Sequence, residues 1–132
     1  MSYLQTQVTT QIIIKNKKGE ILLLRRSKPG GWFTLPGGTV KIGEAVAQAA
    51  EREIFEETGL KLKVNAPVRI WQSDHIGKPL LGIVFDTKTK VADKAKIKIA
   101  KEHNAWQWFS YQKLMQDKAV DPYIKGVYLK FK

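Results

Sequence analysis

Two aliphatic runs open the chain, "VTTQIIIK" (Val8–Lys15) and "EILLLRR" (Glu20–Arg26), with "NKKG" between them. β-Branched and aliphatic residues bounded by turn formers predict two strands, and Gly19 predicts the turn of a hairpin. The next stretch, Ser27–Gly43, holds five of the ten glycines and two of the five prolines and is predicted to be a loop. A loop of that length inside a small domain usually serves function. From Ala45 the pattern turns helical. Alanines and other good helix formers run to Thr58, and Gly59 stands where a C-terminal cap belongs. Leu62–Ser73 predicts a long extended segment bent at Pro67, joined by "DHIGKP" to a second at Leu80–Thr87. Lys88–Lys101 fits no single period, although Lys94, Lys96 and Lys98 alternate with Ala95, Ile97 and Ile99 as on a lysine-faced edge strand. "AWQWFS" (105–110) alternates as a strand should, and "YQKLMQDK" (111–118) reads as a short helix. This order predicts one α+β or mixed α/β domain over 1–132, with a curled sheet.

Composition narrows the class. At 132 residues and 43% apolar content the chain is long and apolar enough for one folded core. There is no cysteine, so neither a disulfide framework nor a thiolate metal site is expected. "MSYLQTQVTTQ" has no basic segment followed by an apolar one, and no apolar run approaches the roughly 18 residues of a membrane span. A soluble cytoplasmic protein with no membrane partner is the expectation. The net charge of +11 favours anionic partners in general, but scattered lysines serve solubility equally well.

Against that basic background, residues 37–60 gather five of the twelve acidic residues: Glu44, Glu51, Glu53, Glu56 and Glu57. At about 100° per residue, Glu53 lies roughly 40° from Glu57 and 60° from Glu56 around the helix. Three carboxylates therefore share one face, where they repel unless neutralised. Arg52 and nearby lysines could make this an ordinary solvated acidic face. A hard divalent cation such as Mg²⁺ or Mn²⁺, which takes oxygen ligands and is often shared with substrate phosphates, would cancel the repulsion instead.

The upstream residues favour the cation. Gly38, five residues, Glu44, seven residues, then Arg52-Glu53-Ile54-x-Glu56-Glu57-x-Gly59-Leu60 matches every defined position of the Nudix box. The chain resembles a Nudix hydrolase of MutT-like size. "GWFTLPGG" before the box, the preceding hairpin and "EHNAWQWFSYQKL" after it extend the likeness over most of the domain. The resemblance implies an α/β/α sandwich around a curled mixed sheet. It also implies metal-dependent hydrolysis of a nucleoside diphosphate linked to a group X, with Mg²⁺ as cofactor and Mn²⁺ as substitute.

By the same resemblance, Glu53, Glu56 and Glu57 are metal-binding carboxylates, and Gly37 or Gly38 adds a backbone carbonyl. Arg52 orients the glutamates, with Glu44 at the other end of the network. The general base resembles either Glu53 or a later-loop glutamate, for which Glu102 is the matching residue and a further metal ligand. Arg25 resembles a phosphate-contacting arginine, though it could equally be a strand-end charge. Trp32 and Phe33 could stack on a base, or pack the loop. His75 and His103 are single histidines with no assigned role.

The marks of particular subfamilies are missing. No "SQPWPFP"-like array follows the box, the coenzyme A pattern upstream is incomplete, and "HIGK" (75–78) carries neither the proline of ADP-ribose pyrophosphatases nor the tyrosine of diadenosine polyphosphate hydrolases. Elimination leaves a (d)NTP or modified nucleotide as the small-molecule substrate. The alternative is an RNA 5′-pyrophosphohydrolase or RNA-binding domain whose 88–101 lysines track phosphates.

Overall fold

A computed structural model describes residues 2–74 and 77–129, so His75 and part of the "DHIGKP" connection lie outside the described residues. The elements are β1 (Gln7–Ile13), β2 (Ile21–Arg26), β3 (Phe33–Thr34), β4 (Gly37–Thr39), α1 (Val46–Thr58), β5 (Arg69–Ser73), β6 (Leu80–Asp86), β7 (His103–Phe109) and α2 (Tyr111–Gln116). A π-helical turn at Ile124–Tyr128 follows. One sheet runs β4-β1-β6-β5 and the other β3-β2-β7. The first is mixed, because β1 and β6 are parallel while β4 and β5 pair antiparallel at its edges.

Both faces of β2 are covered over Ile21–Leu24, which is why it reads as an unbroken aliphatic run rather than an alternation. Ile21 and Leu23 join one core with Ile13, Val84, Leu114 and Ile124. Leu22 and Leu24 join another with Ile12, Phe85, Ala50 and Ile54. Thus α1 covers one face, and α2 with the C-terminal turn covers the other. The expected α+β fold with a mixed sheet between helices is what forms.

Four details differ from the sequence reading. The hairpin closes only at its turn, with a bridge from Lys15 to Ile21 and a Leu22 N–H to Ile14 carbonyl bond of 2.9 Å, before β1 and β2 part into different sheets. The apparent loop Ser27–Gly43 contains β3 and β4, each too short to show a period. Leu62–Ser73 is not one strand, since Val64 makes a lone bridge with Thr87 and regular pairing starts only at Arg69. The lysine run forms no edge strand. Val91 bridges Asn16, and beyond it Ala95, Ile97 and Ile99 pack on the second core while Lys94, Lys96 and Lys98 stay exposed. Burial alone imposes the alternation there.

Helix α1 carries the box. Gly59 ends it at φ 76°, a left-handed conformation that costs glycine little, with its N–H on the Phe55 carbonyl at 2.9 Å. Ile54 is fully buried, worth about 1.5–3 kcal/mol, whereas like charges at helical spacing cost only a few tenths each. Packing therefore holds the helix in place despite its acidic face.

Candidate active site

Antiparallel pairing of β4 with β1 sets Gly38 opposite Thr10 and Gly37 opposite Gln11, bringing the glycines under α1. A Cβ at residue 38 would fall 2.5 Å from the Glu53 carboxylate, so only glycine lets that carboxylate close on the strand. Next door, the Gly37 N–H donates to Glu57 Oε1 at 2.9 Å. The glycines before the helix thus seat two of its carboxylates.

Arg52 organises the others. Its Nε and Nη2 donate to the two oxygens of Glu44 at 2.5 and 3.1 Å, and its Nη1 is shared by Glu53 at 2.8 Å and Glu56 at 3.0 Å. Nη2 also reaches the Thr39 carbonyl at 3.2 Å. The pair with Glu56 that would form on an ordinary helix surface is present, but as one spoke of three. Hydrogen bonds from Arg52 and then the Lys41 N–H hold Glu44 at a pKa of about 2. Arg52 in turn is pushed above its ordinary value, chiefly by Glu44.

Burial sorts the three helix carboxylates. Glu57 is buried and its pKa is pushed up to about 8 by desolvation, against the opposing Gly37 amide. Desolvation also raises Glu53, with Arg52 opposing. Glu56 keeps half its side chain in solvent. Sharing a helix face did not give them one environment.

Strand β7 delivers the remaining groups. Ser27 holds the segment before it, its N–H on the Glu102 carbonyl at 2.9 Å and its hydroxyl on the Lys101 carbonyl at 2.8 Å. Oxygens of Glu57 and Glu102 and a ring nitrogen of His103 then lie within 4.8 Å of one another. His103 is buried, which lowers its pKa with Glu102 opposing, and its Nδ1 has no hydrogen-bond partner among the described residues. Glu53 and Glu56 stand outside this trio, although the Glu53 and Glu102 charges both act on Glu57.

Arg25 and Arg26 separate at an irregularity in the β2–β7 pairing. Arg25 turns to Asn104 Oδ1 at 2.9 Å and lies 5.9 Å over the Phe33 ring. The exposed Arg26 lies near enough for its charge to act weakly on Glu57 and His103. It also lines a cleft of about 230 Å³ with Gln11, Gly37, Gly38, Trp71 and Tyr128. Phe33 packs edge-on against Phe109 at 5.2 Å, and Trp32 is exposed. Neither lines that cleft.

Sequence reasoning gave no role to Arg26 or His103, nor to Gln11, Trp71 and Tyr128 of the cleft. For Arg26 a signal existed, since Leu22 and Leu24 face α1 and Arg26 continues their alternation. No local period marks His103, which gains its role from Glu57 on α1 and Arg26 on β2, both distant in sequence.

The NUDIX domain family model matches residues 5–131, and the chain belongs to that family. An ADP-ribose pyrophosphatase of Methanocaldococcus jannaschii is 42% identical over 72 residues, covering 54% of this chain and 43% of that protein. A putative 8-oxo-dGTP diphosphatase of Bacillus subtilis is 41% identical over 61 residues, 46% of this chain and 40% of that one. An RNA pyrophosphohydrolase of Edwardsiella ictaluri is 31% identical over 120 residues, 76% of this chain and 66% of the other. The match spans less than two thirds of each of these three relatives. A MutT protein of Methanosarcina mazei has a similar fold, with TM-score 0.80 and 29% identity over 94% of this chain and 92% of that one.

Proposed function

We propose that the chain hydrolyses the pyrophosphate bond of a nucleoside diphosphate linked to a group X, using a divalent cation, and that its substrate is a (d)NTP or a modified nucleotide. One observation carries the reading: Arg52 ties Glu44, Glu53 and Glu56 together while Glu57 stands on the Gly37 amide beside Glu102. The donors fit a hard cation. Glu53 occupies the space a Cβ at residue 38 would fill, and Glu57 is a buried carboxylate short of positive compensation. Glu53, Glu56, Glu57 and Glu102 would hold Mg²⁺ or Mn²⁺, with a carbonyl of Gly37 or Gly38. A cation held there would supply charge neutralisation for the diphosphate oxygens and a more acidic water molecule.

The protein's own groups do the rest. Arg26 attracts the diphosphate at the mouth of the cleft, and Arg52 fixes the glutamates so that the attack is held in line. Arg52 engages Glu53 Oε1, whereas the exposed Glu102 carboxylate makes no hydrogen bond among the described residues, so we assign the water's proton to Glu102. Glu102→Gln is expected to lower turnover at least about tenfold at saturating Mg²⁺. Turnover within twofold of the parent would return the role to Glu53.

A second reading has one observation behind it. Exposed Lys94, Lys96 and Lys98 line the segment that leads into Glu102, where they could track an RNA 5′ end. A single screen separates the two: dNTPs, oxidised dNTPs and 5′-triphosphorylated RNA, with Mg²⁺ and with Mn²⁺, scored by the phosphate products. Mononucleotide turnover is expected. Preferred turnover of RNA, with affinity falling in salt by a log–log slope of about one per phosphate contact and flattened by removing the three lysines, would install the RNA reading. No turnover of any compound with either ion would remove the hydrolase.

A further inference from the structure

His103 stands in the "EHNAWQWFSYQKL" stretch without an assigned role, yet the fold buries it against two carboxylates. The residue is 7% exposed and its Nδ1 is shielded from solvent without a hydrogen-bond partner among the described residues. A buried, unpartnered polar atom is a standing cost in a native fold, and an ion is one partner that removes it. The ring also stands beside acceptors. One of its nitrogens and an oxygen from each of Glu57 and Glu102 converge within 4.8 Å, a spacing that one ion can bridge.

We propose that Glu57, Glu102 and His103 form a mixed nitrogen–oxygen cation subsite that prefers a first-row transition ion such as Co²⁺ or Zn²⁺ to Mg²⁺. This rests on the same carboxylates as the hydrolase reading and gives that site a second kind of ligand set. The preference follows from donor chemistry. Mg²⁺ demands near-octahedral oxygen ligation and retains its waters, whereas imidazole nitrogen favours Co²⁺ and Zn²⁺ in the order of intrinsic divalent affinities. Glu53 and Glu56, with oxygen donors only and Arg52 beside them, remain the magnesium-type part of the site. Glu102 has two carboxylate oxygens, so ligation through one leaves the other able to accept a proton.

The fold explains why His103 rather than another residue supplies the nitrogen. Strand β7 begins at His103, paired with Arg26 across the irregular end of β2. Its backbone N–H is tied to the Ala100 carbonyl at 3.1 Å, which turns the chain sharply just before the strand. Consecutive residues of a regular strand face opposite ways. The turn lets Glu102 and His103 reach the same point.

The test is metal binding without nucleotide. Calorimetry with Co²⁺ and with Mg²⁺ compares the parent with His103→Gln, and pulsed EPR of bound Co²⁺ looks for ¹⁴N coupling from an imidazole. His103→Gln is expected to weaken Co²⁺ at least about tenfold and Mg²⁺ less than threefold. The chain has two histidines, so a His75→Gln protein leaves His103 as the sole imidazole and is expected to keep the ¹⁴N coupling. That second protein also covers the case in which His103→Gln fails to fold. Co²⁺ affinity within twofold of the parent, or no ¹⁴N coupling in the His75→Gln protein, would overturn the subsite. Neither result touches hydrolysis, and an enzyme inert toward every nucleotide would leave a measured imidazole ligand in place.

Discussion

Glu57→Gln is expected to cut turnover by about 10²-fold or more and, at the same time, to stabilise the metal-free protein at pH 8. The activity loss follows from the proposed place of Glu57 among the cation's ligands, where its charge is worth several kcal/mol at the transition state, each 1.36 kcal/mol being a factor of ten. The stability gain follows from burial. Glu57 has a folded pKa of about 8 against an ordinary 4.5, so between those values the folded protein keeps a proton that the unfolded chain has lost. Its contribution is therefore fully present below pH 4.5 and is lost as pH rises through about 8. The parent should weaken by an amount on the order of a few kcal/mol across that window. Glutamine cannot ionise and can still accept the Gly37 amide, so the variant's curve should be flatter. A bound cation should rescue the parent most at high pH, because it binds the deprotonated form. Melting temperatures from pH 5 to 8, with chelator and with Mg²⁺, read all of this. Unchanged turnover in Mg²⁺ would remove Glu57 from the cation site, and parallel pH curves would show that it does not titrate as burial requires.

Replacing Arg52 should damage stability and activity together. With Arg52→Gln, Glu44, Glu53 and Glu56 lose a common cation, and partly buried like charges are left facing one another. A loss of about 1–3 kcal/mol is expected, less than for a fully buried pair because a fifth of the Arg52 side chain is exposed. Turnover should fall about 10–100-fold as the carboxylates lose their orientation. Arg52→Lys is the informative partner. Lysine restores the charge but cannot make the two-pronged contact with Glu44 while reaching Glu53 and Glu56. Stability should partly return and turnover should not. A lysine variant within twofold of the parent would show that charge alone, and not the guanidinium fork, organises the site.

Both expectations concern groups that the sequence places on one helix, and that part of the site was legible. Helical order is local: alanine-rich composition, a 3.6-residue period and Gly59 at the end are enough to bound α1 and align Glu53, Glu56 and Glu57. The box spacing likewise pointed to Gly38, and the tight approach of Glu53 to it gives that glycine a steric reason. Which carboxylate would be buried was not legible. Glu56 and Glu57 are neighbours of one type, and only the positions of β4 and β7 expose the first and bury the second.

The elements that went astray were those whose partners are distant in sequence. β1 and β2 look like a hairpin because their turn is local, but β1 pairs with β6 along its whole length and β2 with β7. β3 and β4 are too short to carry a period, so their pairing partners alone make them strands. His103 reaches Glu57 across 46 residues because β7 returns beside β2 under α1. Local propensity and spacing therefore determined the helix, its cap and three of its carboxylates. Strand pairing, which depends on contacts far apart in the chain, decided which of them are buried and which arginine and histidine join them.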